Sequence, residues 1–161
     1  MSLIIGAEGF KKLLRGYEIN INDIKTKTFT VAAGNKVEAG DILVYTDKAQ
    51  VYKTISTTES ATTYANKVAG IALATNVKLD RYFPQSSSDK IEFEAGEHGA
   101  NLIQGEVAVT LHGEAPSEGD AVYYNVAQKA FTKVAEGNLA CPRFQFTGIT
   151  EGNLTVVRVL Y

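Results

Sequence analysis

At 161 residues and 17.4 kDa, with 45% hydrophobic and 21% charged residues, the chain is long enough for one domain with its own core and unlike a disordered segment. The net charge of −2 divides into six Lys/Arg against three Asp/Glu over residues 1–36 and ten against fifteen over 37–161, so neither part is basic enough to argue for nucleic acid. No apolar run approaches the ~18–20 residues that span a bilayer, and the single cysteine, Cys141, excludes an internal disulfide or a cysteine-built metal site.

Leu3-Ile4-Ile5 is too short for a signal-peptide core and no basic residue precedes it, so export is not expected and a reducing compartment is. Phe10, Leu13, Leu14 and Tyr17 stand at i, i+3, i+4, i+7, which predicts one face of a short helix with Lys11, Lys12 and Arg15 turned outward. A helix this short does not persist alone in water, so residues 1–16 form an arm that is either packed on the body or ordered on a partner. The second option predicts an arm mobile in the free protein and removable without unfolding the body. From Tyr17 the period becomes two: Tyr17, Ile19 and Ile21 alternate with polar residues, and Phe29 and Val31 alternate with Thr28 and Thr30.

Residues 118–134, EGDAVYYNVAQKAFTKV, predict a Gly-Asp turn, a strand, a polar reversal and a return strand. The same unit occurs earlier. Residues 37–55 align with 116–134 without a gap at an offset of 79, placing Gly40 on Gly119, Asp41 on Asp120, Tyr45 on Tyr124 and Tyr52 on Phe131. Downstream, Val68-Ala69-Gly70-Ile71 reads like Phe146-Thr147-Gly148-Ile149. Each Asp follows a glycine at a strand start, which predicts turn capping by the carboxylate.

Between the two copies, residues 56–66 are polar and threonine-rich, a surface loop or edge, and 67–74 a small-residue strand. Residues 77–90 predict a long link. Ile91 and Phe93 alternate with Glu92 and Glu94, residues 97–100 read as a turn, and 101–112 as the best strand, bent at Gly105. After a loop at 135–141, Pro142 restarts the chain toward a strand with Phe144 and Phe146, and 154–161 closes it. About ten short strands with turns between them predict an all-β fold, a small jelly-roll-like barrel or sandwich built around a duplicated hairpin module, plus a short N-terminal arm or helix. The expected organisation is an arm over 1–16 and a single domain over 17–161 with related halves at about 17–76 and 90–161.

Catalytic chemistry finds little support. His98 and His112 lack any His or Cys at ligand spacing, so no metal is expected. Glu92, Glu94 and Glu97 alternate with Ile91 and Phe93 as a solvated strand face does, and no phosphate loop or nucleophile motif is present. The aromatics recur at strand positions without interleaved Arg and Lys, which favours core and interface packing over base stacking.

Residues 101–109, NLIQGEVAV, lead into 115–124, APSEGDAVYY, then a loop, then Arg143-Phe144 and a closing apolar strand. This succession resembles the capsid cement (decoration, auxiliary head) proteins of tailed bacteriophages. The likeness covers residues 90–161 and reaches the first half through Gly40-Asp41; Cys141-Pro142-Arg143-Phe144 departs slightly from the family's pattern. It implies a non-enzymatic virion protein without cofactor, made in the bacterial cytoplasm. Such a protein binds the outer surface of an assembled head, where it bridges neighbouring capsid subunits. Its implied partners are the major capsid protein and other copies of itself, with no direct nucleic acid and no membrane. On that reading Phe10, Lys11, Lys12, Leu13, Leu14, Arg15 and Tyr17 of the arm, with Thr28 and Thr30, are candidate capsid contacts, and Gly40, Asp41, Gly119 and Asp120 are structural turns. A head-fibre or receptor- or carbohydrate-binding module is the alternative. Its only candidate grouping of aromatics and acid is Tyr123, Tyr124 and Glu118.

Overall fold

The computed structural model describes residues 5–6, 9–10, 13, 15–18, 24–74 and 91–161. Lys11, Lys12, Leu14, the alternation over 19–22 and the link over 77–90 lie outside them. The described elements are β1 (Ile5–Gly6), β2 (Gly9–Phe10), β3 (Lys25–Val31), β4 (Lys36–Glu38), β5 (Ile42–Tyr45) and β6 (Val51–Lys53). A 3-10 turn at Ala61–Tyr64 precedes β7 (Val68–Leu73), β8 (Glu92–Glu94) and β9 (His98–Thr110). The chain then adds β10 (Ala121–Asn125), β11 (Ala130–Thr132), β12 (Leu139–Glu151) and β13 (Leu154–Val159).

The strands close twice. β3, β6, β5, β7 and the first half of β9 pair in a ring, because β9 bonds both β3 and β7. The second half of β9 pairs with β13, followed by β12, β10 and β11, and a parallel bridge from Leu111 to Phe131 returns to the end of β9. β9 therefore serves both rings, and its partners change between Gln104 and Gly105.

The duplicated module extends to whole barrels. Val44 pairs with Lys53 and Tyr45 with Tyr52, as Tyr123 pairs with Thr132 and Tyr124 with Phe131. Thr28 lies across from Ala100 as Ala108 does from Val156, and Thr30 from His98 as Thr110 from Leu154. Even the reversal is kept: Gln50 and Lys129, at matching positions, have φ of 61° and 50°. The structure corrects one part of the sequence echo. Gly40 N–H donates to Ala72 O and Gly119 N–H to Phe146 O, so Phe146 corresponds to Ala72 rather than to Val68. Bulges at different places, between Leu43 and Val44 and between Ala121 and Tyr123, shift the partner strands.

Alternation along the strands sorts the core. Phe29, Val31, Leu43, Tyr52 and Ala72 cluster with Val37 and Phe93 of the β4–β8 ladder. Ile42, Val44, Ile71 and Leu73, which alternate with them, join Val109, Val122, Phe131, Phe144 and Phe146 in one larger cluster that welds the two barrels.

Three expectations change. Phe10 lies in a strand and Arg15–Gly16 in a turn, where a helix was expected. Leu13 and Tyr17 are buried in different clusters, whereas a helix would set them on one face. β9 begins at His98 rather than after a turn at 97–100, because Val31 N–H bonds Glu97 O and the Phe29 ring lies across Gly99. β12 begins at Leu139 and runs through Pro142. This proline sits in the bulge opposite Val122, where the β10–β12 ladder is interrupted and asks for no N–H.

Candidate functional site: a strapped edge and an open edge

Both Gly-Asp turns have the predicted construction. Gly40 and Gly119 take φ of 95° and 91°, a region that favours glycine. Asp41 Oδ2 accepts the Glu38 N–H at 2.8 Å, and Asp120 Oδ2 accepts the Ser117 N–H at 2.8 Å. The two carboxylates then diverge. Asp120 is partly exposed, while Asp41 is 1% exposed and its Oδ1 accepts from Arg15 Nη2 at 2.6 Å. Arg15 Nη1 also reaches Glu38 Oε2 at 3.1 Å and Ala39 O at 2.9 Å, and its Nε donates to Thr110 Oγ1 at 3.0 Å. One guanidinium thus ties the first turn to the second barrel.

Arg15 belongs to a strap that crosses the molecule. Gly16 N–H donates to Ala108 O and Ala108 N–H to Tyr17 O, and Glu18 bridges to Val107, so residues 16–18 add a short strand to the outer edge of β9. Leu13 N–H donates to Glu151 Oε2 at 3.1 Å, and the Leu13 side chain packs on Ala108, Leu154 and Val156. Leu13 and Tyr17 are thus spent inside the fold and offer no surface. These contacts also correct the expectation of an arm free over its whole length, since Leu13, Arg15 and Gly16 already sit on the body. Nothing in the spacing pointed to Glu38, Thr110 or Glu151, which are far from the strap in sequence and depend on the barrel registers to meet it.

The comparisons with known proteins bear on this architecture. The sequence matches the family described as structural cement protein (E217 gp24/Pam3 gp6) over residues 11–160. The chain belongs to the structural cement protein family. A chain from the structure titled "The capsid of Myoviridae Phage XM1" shares its fold, with a TM-score of 0.67 and 22% identity over 92% of this chain and 90% of that one. No curated protein sequence matches this cement protein.

Thr28 and Thr30 stand on β3 at the outside of the first barrel. Thr28 is exposed, and Thr30 Oγ1 lies 3.0 Å from His98 Nδ1. Tyr123, Tyr124 and Glu118 do not form an open site: Tyr124 is 1% exposed, its ring set edge-on against Phe131, and burial raises its hydroxyl pKa. A hollow of about 550 Å³ lies between the 3-10 turn and the β10–β11 hairpin, lined by Glu59, His112, Asn125, Glu136 and Asn138. Burial pushes the Cys141 thiol up to about 12, which leaves it a poor nucleophile. Among the described residues no group of His, Cys, Asp and Glu is set to hold a metal, and no helix is long and apolar enough to cross a membrane.

Proposed function

We propose that this cement protein binds the outer surface of an assembled phage head, bridges neighbouring shell subunits and turns over no substrate. Membership of the structural cement family across residues 11–160 carries the reading. The architecture suits it: two barrels joined by a shared strand and one core make a stiff bracket, and many copies on a shell convert modest single-site affinity into large total stabilisation. Contact through Thr28 and Thr30 of β3, together with the basic start of the chain, is part of the proposal.

Heads assembled without the protein provide the test. Purified protein should co-sediment with them and raise the temperature at which they release DNA. A protein that neither sediments with heads nor shifts their melting overturns the proposal.

A further inference from the structure

The two barrels present the same edge, and among the described residues a covering strand lies on only one of them. In the second barrel the outer edge of β9 carries residues 16–18. Its counterpart in the first barrel is the outer edge of β3. Thr30 N–H points away from β9, to Gln50 O at 2.8 Å. Antiparallel alternation therefore turns the main-chain groups of Thr28 and Thr26 to the same side, beyond the end of β6. Among the described residues no hydrogen-bond partner faces them, and residues 25–28 are all exposed.

Side chains on the two edges differ as their cover does. Ala108, Leu154 and Val156, which lie under Leu13, correspond to Thr28, His98 and Ala100. Val107, opposite Glu18, corresponds to Lys27, which has no ion-pair partner among the described residues. The uncovered edge is thus polar and cationic where the covered one is apolar.

We propose that the β3 edge at Thr26–Thr28 receives an extended segment of the head's shell protein, antiparallel to β3, with an acidic residue opposite Lys27. The inference rests on the head-binding reading above. It adds a strand to a sheet whose sister edge already holds one, so the main chain supplies the bonds and Lys27 the charge preference.

Thr28→Pro removes the outward N–H and places a ring where the added strand would lie, while an edge position facing solvent tolerates proline. Its melting should match the parent's, and its affinity for heads lacking the protein should fall about tenfold or more. Lys27→Glu should weaken binding several-fold and more strongly at low salt. In the unaltered protein the Thr26 and Thr28 amides should exchange quickly when free and slowly on heads, a readout that stands even if the proline variant fails to fold. If the unaltered protein does not bind heads, the head-binding reading fails. If it binds and those amides stay unprotected, or a folded Thr28→Pro variant binds as well as the parent, strand addition is overturned. Protection gained by concentrating the protein without heads would identify a second copy as the occupant and overturn the shell segment.

Discussion

The Gly-Asp turns provide an internal control, because one geometry is built twice with different surroundings. Asp120→Ala removes a carboxylate that caps one N–H at a partly exposed turn, a loss of about 1 kcal/mol. Asp41→Ala removes the same cap and also strips Arg15 of its shortest ion pair. Removing one partner of a buried pair costs about 3–5 kcal/mol. Arg15 keeps Glu38 and Ala39 O and is 18% exposed, which favours the lower end. The expected total is about 4 kcal/mol for Asp41→Ala, some 3 kcal/mol beyond Asp120→Ala. At this chain length 1 kcal/mol moves Tm by about 2–4 °C, so the two variants should melt several degrees apart. Urea titration gives the free energies, and a cycle with Arg15→Met should return a coupling of at least ~1 kcal/mol between residues 15 and 41. If Asp41→Ala and Asp120→Ala agree within ~0.5 kcal/mol, or the cycle shows no coupling, Arg15 does not hold the strap as described.

Gly119→Ala should cost about 1–2 kcal/mol from its φ alone, since the added carbon meets only Gln145 Nε2 at 4.0 Å. Gly40→Ala should cost more in the same urea titration, because its added carbon falls 2.5 Å from Arg15 Cγ; equal losses would refute the close packing of strap on turn. The Cys141 thiol, raised by burial to about 12 from 9.0, stays protonated in the folded chain while the unfolded chain ionises first. The stability that thiol contributes is full below pH 9 and is lost as pH rises toward 12, so Cys141→Ala should flatten the alkaline decline measured by urea titration.

The hairpin modules were legible because every determinant is local. A glycine that takes positive φ, an Asp that caps three residues back and a period-two run all lie within 19 residues, and the gap-free echo of 37–55 in 116–134 carries the register with it. The strap was not legible for the opposite reason. Phe10, Leu13, Leu14 and Tyr17 have helical spacing, but Arg15 finds Asp41, Leu13 finds Ala108 and Glu151, and Gly16 finds Ala108. Those contacts override a weak local preference that an eight-residue segment cannot enforce. Of the strand expected over 101–112, residues 101–110 lie in β9, and its partners change at Gly105, where a bend is expected from the sequence. Which strands it joins is a matter of topology, and no spacing within it says that Leu102 pairs with Thr26 while Val107 pairs with Val157.

Duplication gives two barrels the same edges, and the sequence has since treated them differently. Ala108, Leu154 and Val156 make the second barrel's outer face too apolar to leave in water, and Leu13 closes it within the same chain. Thr28 and His98 at the matching sites are polar and exposed, and among the described residues no segment lies over them as Leu13 lies over the second barrel. A chain with both edges strapped would have no strand to offer, and one with both apolar faces open would associate with itself. β9 then fixes how force passes between the two ends. Its 13 residues extend about 43 Å at ~3.3 Å each, and its two halves are bonded into separate rings. On the proposed reading, a shell subunit held at the β3 edge and another held elsewhere on the second barrel pull along one continuous strand. Separating them requires shearing the β3–β9 or β9–β13 ladder, many hydrogen bonds at once, rather than opening a hinge between two lobes.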